Sequence, residues 1–144
     1  MMSAMGYWYF RAPDDAAAAA LIDGGPNDDF CQVNGVDPAV ALGTLEALMT
    51  AMEYDDLDDD DRRAGLIASA DDYERLVLSV TDSLRDALIV ADDARVHDVA
   101  SAWVRTDELA GAASGDMANV IKDLAALSRR AKESDEHLYC WTLA

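Results

Sequence analysis

The two ends of the chain carry its densest runs of aromatic and β-branched residues. The first run extends from Met5 to Arg11 and stops near Pro13, and the second extends from His137 to Leu143. Residues of these types favour strands. The pattern therefore predicts a strand at each end, and we expect the two to pair in one small sheet. Shorter strands are predicted at 65–70 and at 76–80, the latter with a helix as the alternative.

Between these runs, apolar residues recur with the spacing of amphipathic helices. Asp37 can cap a helix, and Pro38 suits the first helical position. The apolar residues that follow form one stripe of about four turns: Ala41, Leu45, Leu48, Met49 and Met52. Further helices are predicted over 16–22, after Thr81-Asp82, over 96–104 and, the longest, from Ser114.

These predicted elements give one α+β domain over residues 1–144, with a small sheet that includes both terminal strands and several helices packed against it. Residues 27–36 are the exception, because they show neither spacing. We expect them to be irregular, with Phe30 and Cys31 as packing anchors.

Charge excludes several classes of partner. The chain has 29 Asp and Glu residues against 11 Lys and Arg, a formal net charge of −18. Phosphate backbones and anionic lipids attract Lys and Arg, so we expect no nucleic-acid partner and no membrane surface. The acids act either as a coat that favours solubility or as a surface that recognises a basic protein.

The acids are most concentrated in residues 54–64, called here the acidic segment. Six acids in eight residues repel one another, so a mobile loop is predicted. A calcium loop starting at Asp56 would need glycine and glutamate where Asp61 and Ile67 stand, so no metal site is predicted. The candidate partner-binding residues in this segment are Asp58, Asp59, Asp60 and Asp61.

No set of residues predicts catalysis or cofactor binding. Metal and hydrolytic sites generally need two or three converging ligands, whereas His97 and His137 are separated by 40 residues. His97 is expected on a helix surface, and Cys140 is expected as a small core residue. Gly24-Gly25-Pro26 lacks the spacing of a phosphate loop.

Aromatic residues on the first strand would alternate between the two faces of the sheet. One set would serve the core, and the other would form an exposed patch, line a groove or mediate a homodimer contact. Trp8 and Trp141 are therefore added to the candidate partner-binding residues.

The cellular setting is expected to be the cytoplasm. No apolar run reaches the roughly 18 residues of a membrane span, and residues 1–9 lack the basic start of an export signal. Cys31 and Cys140 are accordingly expected as reduced thiols, with one disulfide as the alternative.

The outer parts of the chain resemble the YfbM-like family of uncharacterised bacterial proteins. The resemblance rests on the strand and acid-capped helix of 6–22 and on the helix, turn and strand of 116–143. Trp103 with Thr106-Asp107-Glu108, and the Tyr139-Cys140-Trp141 end, are similar to a pattern in small actinobacterial proteins. The resemblance implies an α+β fold and an intracellular bacterial setting, and it implies no catalytic residue.

Two functions fit this sequence. The first is a non-enzymatic interaction protein of the immunity or inhibitor type, whose acidic face binds a basic protein. The alternative is an enzyme or small-ligand binder with a cleft near the terminal strands, lined by aromatic residues from both: Tyr7, Tyr9, Tyr139 and Trp141. The scarcity of catalytic residue types favours the first.

Overall fold

The computed structural model describes residues 6–26, 29–109 and 111–143 and contains a five-stranded antiparallel sheet. The two terminal strands lie side by side, as predicted, so the sheet order is β2-β1-β5-β4-β3. The strands are β1 Gly6–Ala12, β2 Phe30–Asn34, β3 Leu66–Ala70, β4 Arg75–Ser79 and β5 His137–Leu143. The α+β class with the terminal strands in one sheet is therefore confirmed.

Five α-helices and two short 3-10 helices complete the described chain. The α-helices are α1 Asp15–Ala19, α2 Ala41–Thr50, α3 Asp82–Val90, α4 Asp93–Trp103 and α5 Ser114–Glu133. The 3-10 helices are Tyr54–Asp59 and Asp107–Leu109. Side chains at three helix starts accept backbone N–H groups. Thr81 caps α3 as predicted, and Asp14 and Asp92 cap α1 and α4.

Both faces of the sheet are covered. Tyr9 and Cys140 are directly opposed on β1 and β5, and they point into the main core with helices α2 to α5. Phe10 and Tyr139, the next opposed pair, point into a smaller core against α1. Because each face has its own helical layer, consecutive aromatic residues of β1 are buried on opposite faces of the sheet.

Two sequence predictions near residues 27–52 are wrong in part. Residues 27–36 were expected to be irregular, but Phe30–Asn34 is an edge strand paired with β1. Val33 of this strand is buried while Phe30 is 37% exposed, so Phe30 is not the anchor that was expected. Helix α2 is also shorter than predicted, because it stops at Thr50 and Ala51 adopts a left-handed backbone.

An ion cluster ties the terminal strands to α5. Arg11 Nε lies 2.6 Å from Asp29 Oδ2, and Arg11 Nη1 lies 2.5 Å from Glu136 Oε1. Asp29 also accepts from Arg130 at the end of α5, at 2.7 Å. The arginine charges hold the pKa of Asp29 below its usual range, chiefly through the hydrogen bond from Arg130. Arg130 at the end of α5 is thus engaged in an ion pair within the protein.

Candidate functional site

The acidic segment folds against the start of α2, where Tyr54 and Arg63 both donate to the Ala39 carbonyl. Tyr54–Asp59 forms a 3-10 helix whose Leu57 is only 2% exposed and therefore anchors the segment in the protein. The segment was predicted as a loop; the 3-10 helix forms because one apolar side chain among the acids can be buried. Its predicted mobility stays a prediction.

Two arginines that follow the acids attach the segment to the rest of the protein, Arg63 beside α2 and Arg62 beside the sheet. Arg63 lies 3.1 Å from Asp58, donates to the Ala39 carbonyl at 2.6 Å and lies 4.8 Å from the centre of the Tyr54 ring. Because its side chain is 7% exposed, Arg63 is screened little by water.

Arg62 attaches the same segment to the sheet. Its guanidinium donates to the carbonyls of Val80 and Leu138, at 3.2 and 3.3 Å, and to Asp15 at 3.3 Å. It also lies 5.1 Å from the centre of the Tyr139 ring, within reach of a cation–π interaction. The acids of the segment therefore lie between two points of attachment, the buried Leu57 and this pair of arginines.

A cleft of about 490 Å³ opens beside the acidic segment. Its lining contains five carboxylates together with Leu57, Met52 and Ser83: the acids are Glu46, Asp56, Asp59, Asp60 and Asp61. Helix α2 supplies Glu46, the acidic segment supplies the aspartates, and the first turn of α3 supplies Ser83. This acidic cleft is the candidate functional site.

Glu46 is the buried acid of the cleft. It is 5% exposed, whereas the four aspartates are exposed, so Glu46 belongs to the floor and the aspartates to the rim. Burial raises the pKa of the Glu46 carboxyl, while the Thr81 hydroxyl and the charge of Arg63 act in the opposite direction. A carboxylate that is difficult to ionise gains most from a cation that enters the cleft.

The structure brings together only some of the candidate partner-binding residues. Asp59, Asp60 and Asp61 line the acidic cleft, but Asp58 points to Arg63 and is not among the lining residues. The sequence reasoning missed Glu46, Met52 and Ser83, which lie in or next to helices far from the acidic run. The signal that could have found Glu46 was a lone acid inside the apolar stripe of α2.

Trp8 and Trp141 lie together elsewhere, on the α1 face of the sheet. They are opposed on β1 and β5, with ring centres 5.0 Å apart in an edge-to-face arrangement. Trp141 Nε1 donates to the Ile22 carbonyl at 2.9 Å, and its ring packs on Gly25, which has a φ of +74°. Both tryptophans are half-buried, so they contribute to packing between the sheet and the chain after α1.

The aromatic cleft of the alternative hypothesis does not form from its four residues. Tyr7 and Tyr9 point to the main core, since they oppose Thr142 and Cys140 on β5. Tyr139 and Trp141 point to the opposite face. The sheet separates the two pairs, because neighbouring residues of a strand face opposite sides.

Neither the histidines nor the cysteines line the acidic cleft. His97 is exposed on α4, and His137 Nδ1 lies 2.8 Å from Asp82 Oδ1, which Arg85 also approaches at 3.5 Å. Cys31 and Cys140 each oppose Tyr9 from the two strands beside β1. Two strand spacings place their Cα atoms roughly 9–10 Å apart, beyond the roughly 7 Å limit for a disulfide.

Among the described residues, no three His, Cys, Asp or Glu side chains are arranged as a set that could hold a metal ion. None of the helices described has the length and apolar character needed to cross a bilayer.

Comparison of the chain with protein-family models, with curated proteins and with solved structures finds no match.

Proposed function

We propose that this chain is a non-enzymatic, acidic interaction protein of the cytoplasm that binds a basic protein through the acidic cleft. Proteins of the immunity or inhibitor type act in this way, by covering a basic surface of their target. The observation that carries the proposal is the concentration of five carboxylates around one cleft, with the buried Glu46 among them.

Local charge supports this proposal beyond the overall acidity. The aspartates of the rim are exposed, and the segment that carries them is attached through the buried Leu57 and through the hydrogen bonds of Arg62 and Arg63. Arg62 and Arg63 are used for internal contacts, so they neutralise the rim only in part. A fixed patch of one charge sign accelerates encounters with an oppositely charged partner and favours that partner over others.

We also propose that the protein acts in a bacterial cell, the setting that the YfbM-like resemblance implies. A basic bacterial protein, such as a toxin or an enzyme with a cationic site, is the class of target we expect. Because the interaction depends on exposed charges, we expect it to weaken strongly with salt, as the Debye length falls from roughly 8 Å to roughly 3 Å between physiological and molar salt.

Affinity capture from the source organism tests the proposal. The bait is the wild-type chain beside two variants that remove equal amounts of charge. The cleft variant carries Asp56→Asn, Asp59→Asn and Asp61→Asn, and the control variant carries changes at exposed acids of other elements: Glu74→Gln, Asp98→Asn and Glu133→Gln.

The proposal predicts that the wild type and the control variant retain the same basic protein, that the cleft variant loses it, and that molar salt elutes it. Equal retention by all three baits would mean that the cleft is not the binding surface. Loss from both variants alike would show that overall charge, and not this cleft, determines binding.

A further inference from the structure

The acidic cleft combines a buried negative charge with exposed apolar surface. Met52, just after the end of α2, lines the cleft and is 45% exposed. Leu57 also lines the cleft but is only 2% exposed, so the apolar surface that a ligand can reach is that of Met52.

The charge of Glu46 has no cation within ion-pair distance among the described residues. Its carboxyl interacts with the neutral hydroxyl of Thr81, which also accepts the N–H of Leu84 as the cap of α3. Burial of an ionised carboxylate without a cation is unfavourable. A cation that reached Glu46 would relieve this cost and would be shielded there from competing water.

Asp58 shows the contrasting arrangement on the same segment. Its charge is paired with Arg63, and it does not line the cleft. Arg63 is thus in ion-pair contact with an acid outside the cleft, and its charge acts on the buried Glu46 without such a contact.

We propose that the acidic cleft accepts one arginine or lysine side chain of the basic partner, with the alkyl stem against Met52 and the cationic group at Glu46. Both side chains have an apolar stem that ends in a charge, which matches the two kinds of surface in the lining. A cleft of about 490 Å³ falls within the range of sites that enclose small organic groups. This inference rests on the proposed function and specifies how the partner is anchored.

NMR titration of the intact chain with side-chain analogues tests the anchor. The probes are N-acetyl-arginine amide and N-acetyl-lysine amide, compared with methylguanidinium, which lacks the stem, and N-acetyl-glutamine amide, which lacks the charge. The variants are Glu46→Gln, which keeps the shape, and Met52→Ser, with Leu66→Ser as the control because Leu66 is 55% exposed outside the cleft.

We expect the two charged analogues to shift the NMR signals of the cleft residues. Glu46→Gln should lower the affinity of both analogues about tenfold, which is the loss typical of a hydrogen bond to a charged group. Met52→Ser should lower the affinity of the two charged analogues but leave the affinity of methylguanidinium unchanged. Leu66→Ser should change none of these affinities. Equal affinity of methylguanidinium and the arginine analogue, or unchanged affinity in Glu46→Gln, would overturn the anchor. Spermidine binding more tightly than both analogues would assign the cleft to a free polyamine and would also overturn it.

A hexa-arginine peptide separates this inference from the proposed function. If replacement of the rim aspartates lowers the affinity of the peptide but Glu46→Gln and Met52→Ser do not, the anchor is wrong. The proposal of an acidic interaction surface is then retained. If neither the peptide nor the analogues bind, both proposals fail.

Discussion

Arg63 Nε lies 3.1 Å from Asp58 Oδ1, and this ion pair connects the most acidic stretch of the chain to its own interior. The same guanidinium donates to the Ala39 carbonyl just before α2. Repulsion among the neighbouring aspartates favours an extended, solvated segment. The contacts of the arginine oppose that tendency, because they attach the segment to the chain just before α2.

Replacement of Arg63 should loosen the acidic segment. Arg63→Ala removes the contacts to Asp58, Ala39 and Tyr54 from a side chain that is 7% exposed, so we expect a loss of about 1–3 kcal/mol in unfolding free energy. Hydrogen exchange should rise over 54–64. Arg105→Ala, at an exposed position, is the matched control and should change the free energy by less than about 0.5 kcal/mol. Unchanged exchange over 54–64 in Arg63→Ala would show that Leu57 alone holds the segment.

Trp141 should contribute strongly to stability, although it was a candidate for partner binding. Its ring packs on Gly25 and meets Trp8, and its indole N–H donates to Ile22. Trp141→Ala should therefore lower the unfolding free energy by about 3 kcal/mol in denaturant titration. Leu143→Ala on the same strand, where the side chain is 41% exposed, serves as control and should have a much smaller effect. A loss below about 1 kcal/mol for Trp141→Ala would return this residue to the binding surface.

The two cysteines should be free and slow to react. Burial raises the pKa of Cys31 to about 11 and raises that of Cys140 still further, so few thiolates are present at neutral pH. A thiol reagent at pH 7 should label the folded chain slowly, with Cys31 first because Cys140 is fully buried. Both should react quickly after unfolding. An unfolded, unreduced chain without free thiols would contradict the strand spacing described above.

Glu46 should make stability depend on pH. Its pKa is higher in the folded chain than in the unfolded chain, because burial disfavours the charge. The folded state therefore holds its proton more tightly, and the stabilisation that protonated Glu46 provides is lost as pH rises through the folded-state pKa. Glu46→Gln should gain stability relative to the wild type at neutral pH, and the gain should shrink toward pH 4. A difference between the two chains that does not change with pH would contradict this assignment.

Much of the sheet and helix pattern could be predicted from the chain itself, because local signals agree with the tertiary contacts. Asp14 and Thr81 cap helices where helix starts were predicted, and the terminal runs pair across β1 and β5. Strand β2 was missed, since its alternation of Cys31 and Val33 with polar residues spans only five positions. Its identity depends on β1, a partner distant in sequence.

The candidate site was predictable only in part for a related reason. A run of aspartates is visible in the sequence, but its packing depends on Leu57 and Arg63. Nothing local connects Asp59 to Glu46 on α2 or to Ser83 on α3, which meet through the tertiary fold. The pairing of the terminal strands was predicted, but the register that opposes Trp8 to Trp141 and the packing of Trp141 on Gly25 come from the tertiary fold.

The central claim is that the acidic cleft, and not the overall charge, binds a basic partner. The most direct measurement is the affinity of a hexa-arginine peptide, determined by calorimetry at physiological salt for the wild type, the cleft variant and the control variant. Our account predicts that the cleft variant loses at least about tenfold in affinity, equivalent to about 1.4 kcal/mol, while the control variant loses less than about twofold. Equal losses in the two variants would contradict it.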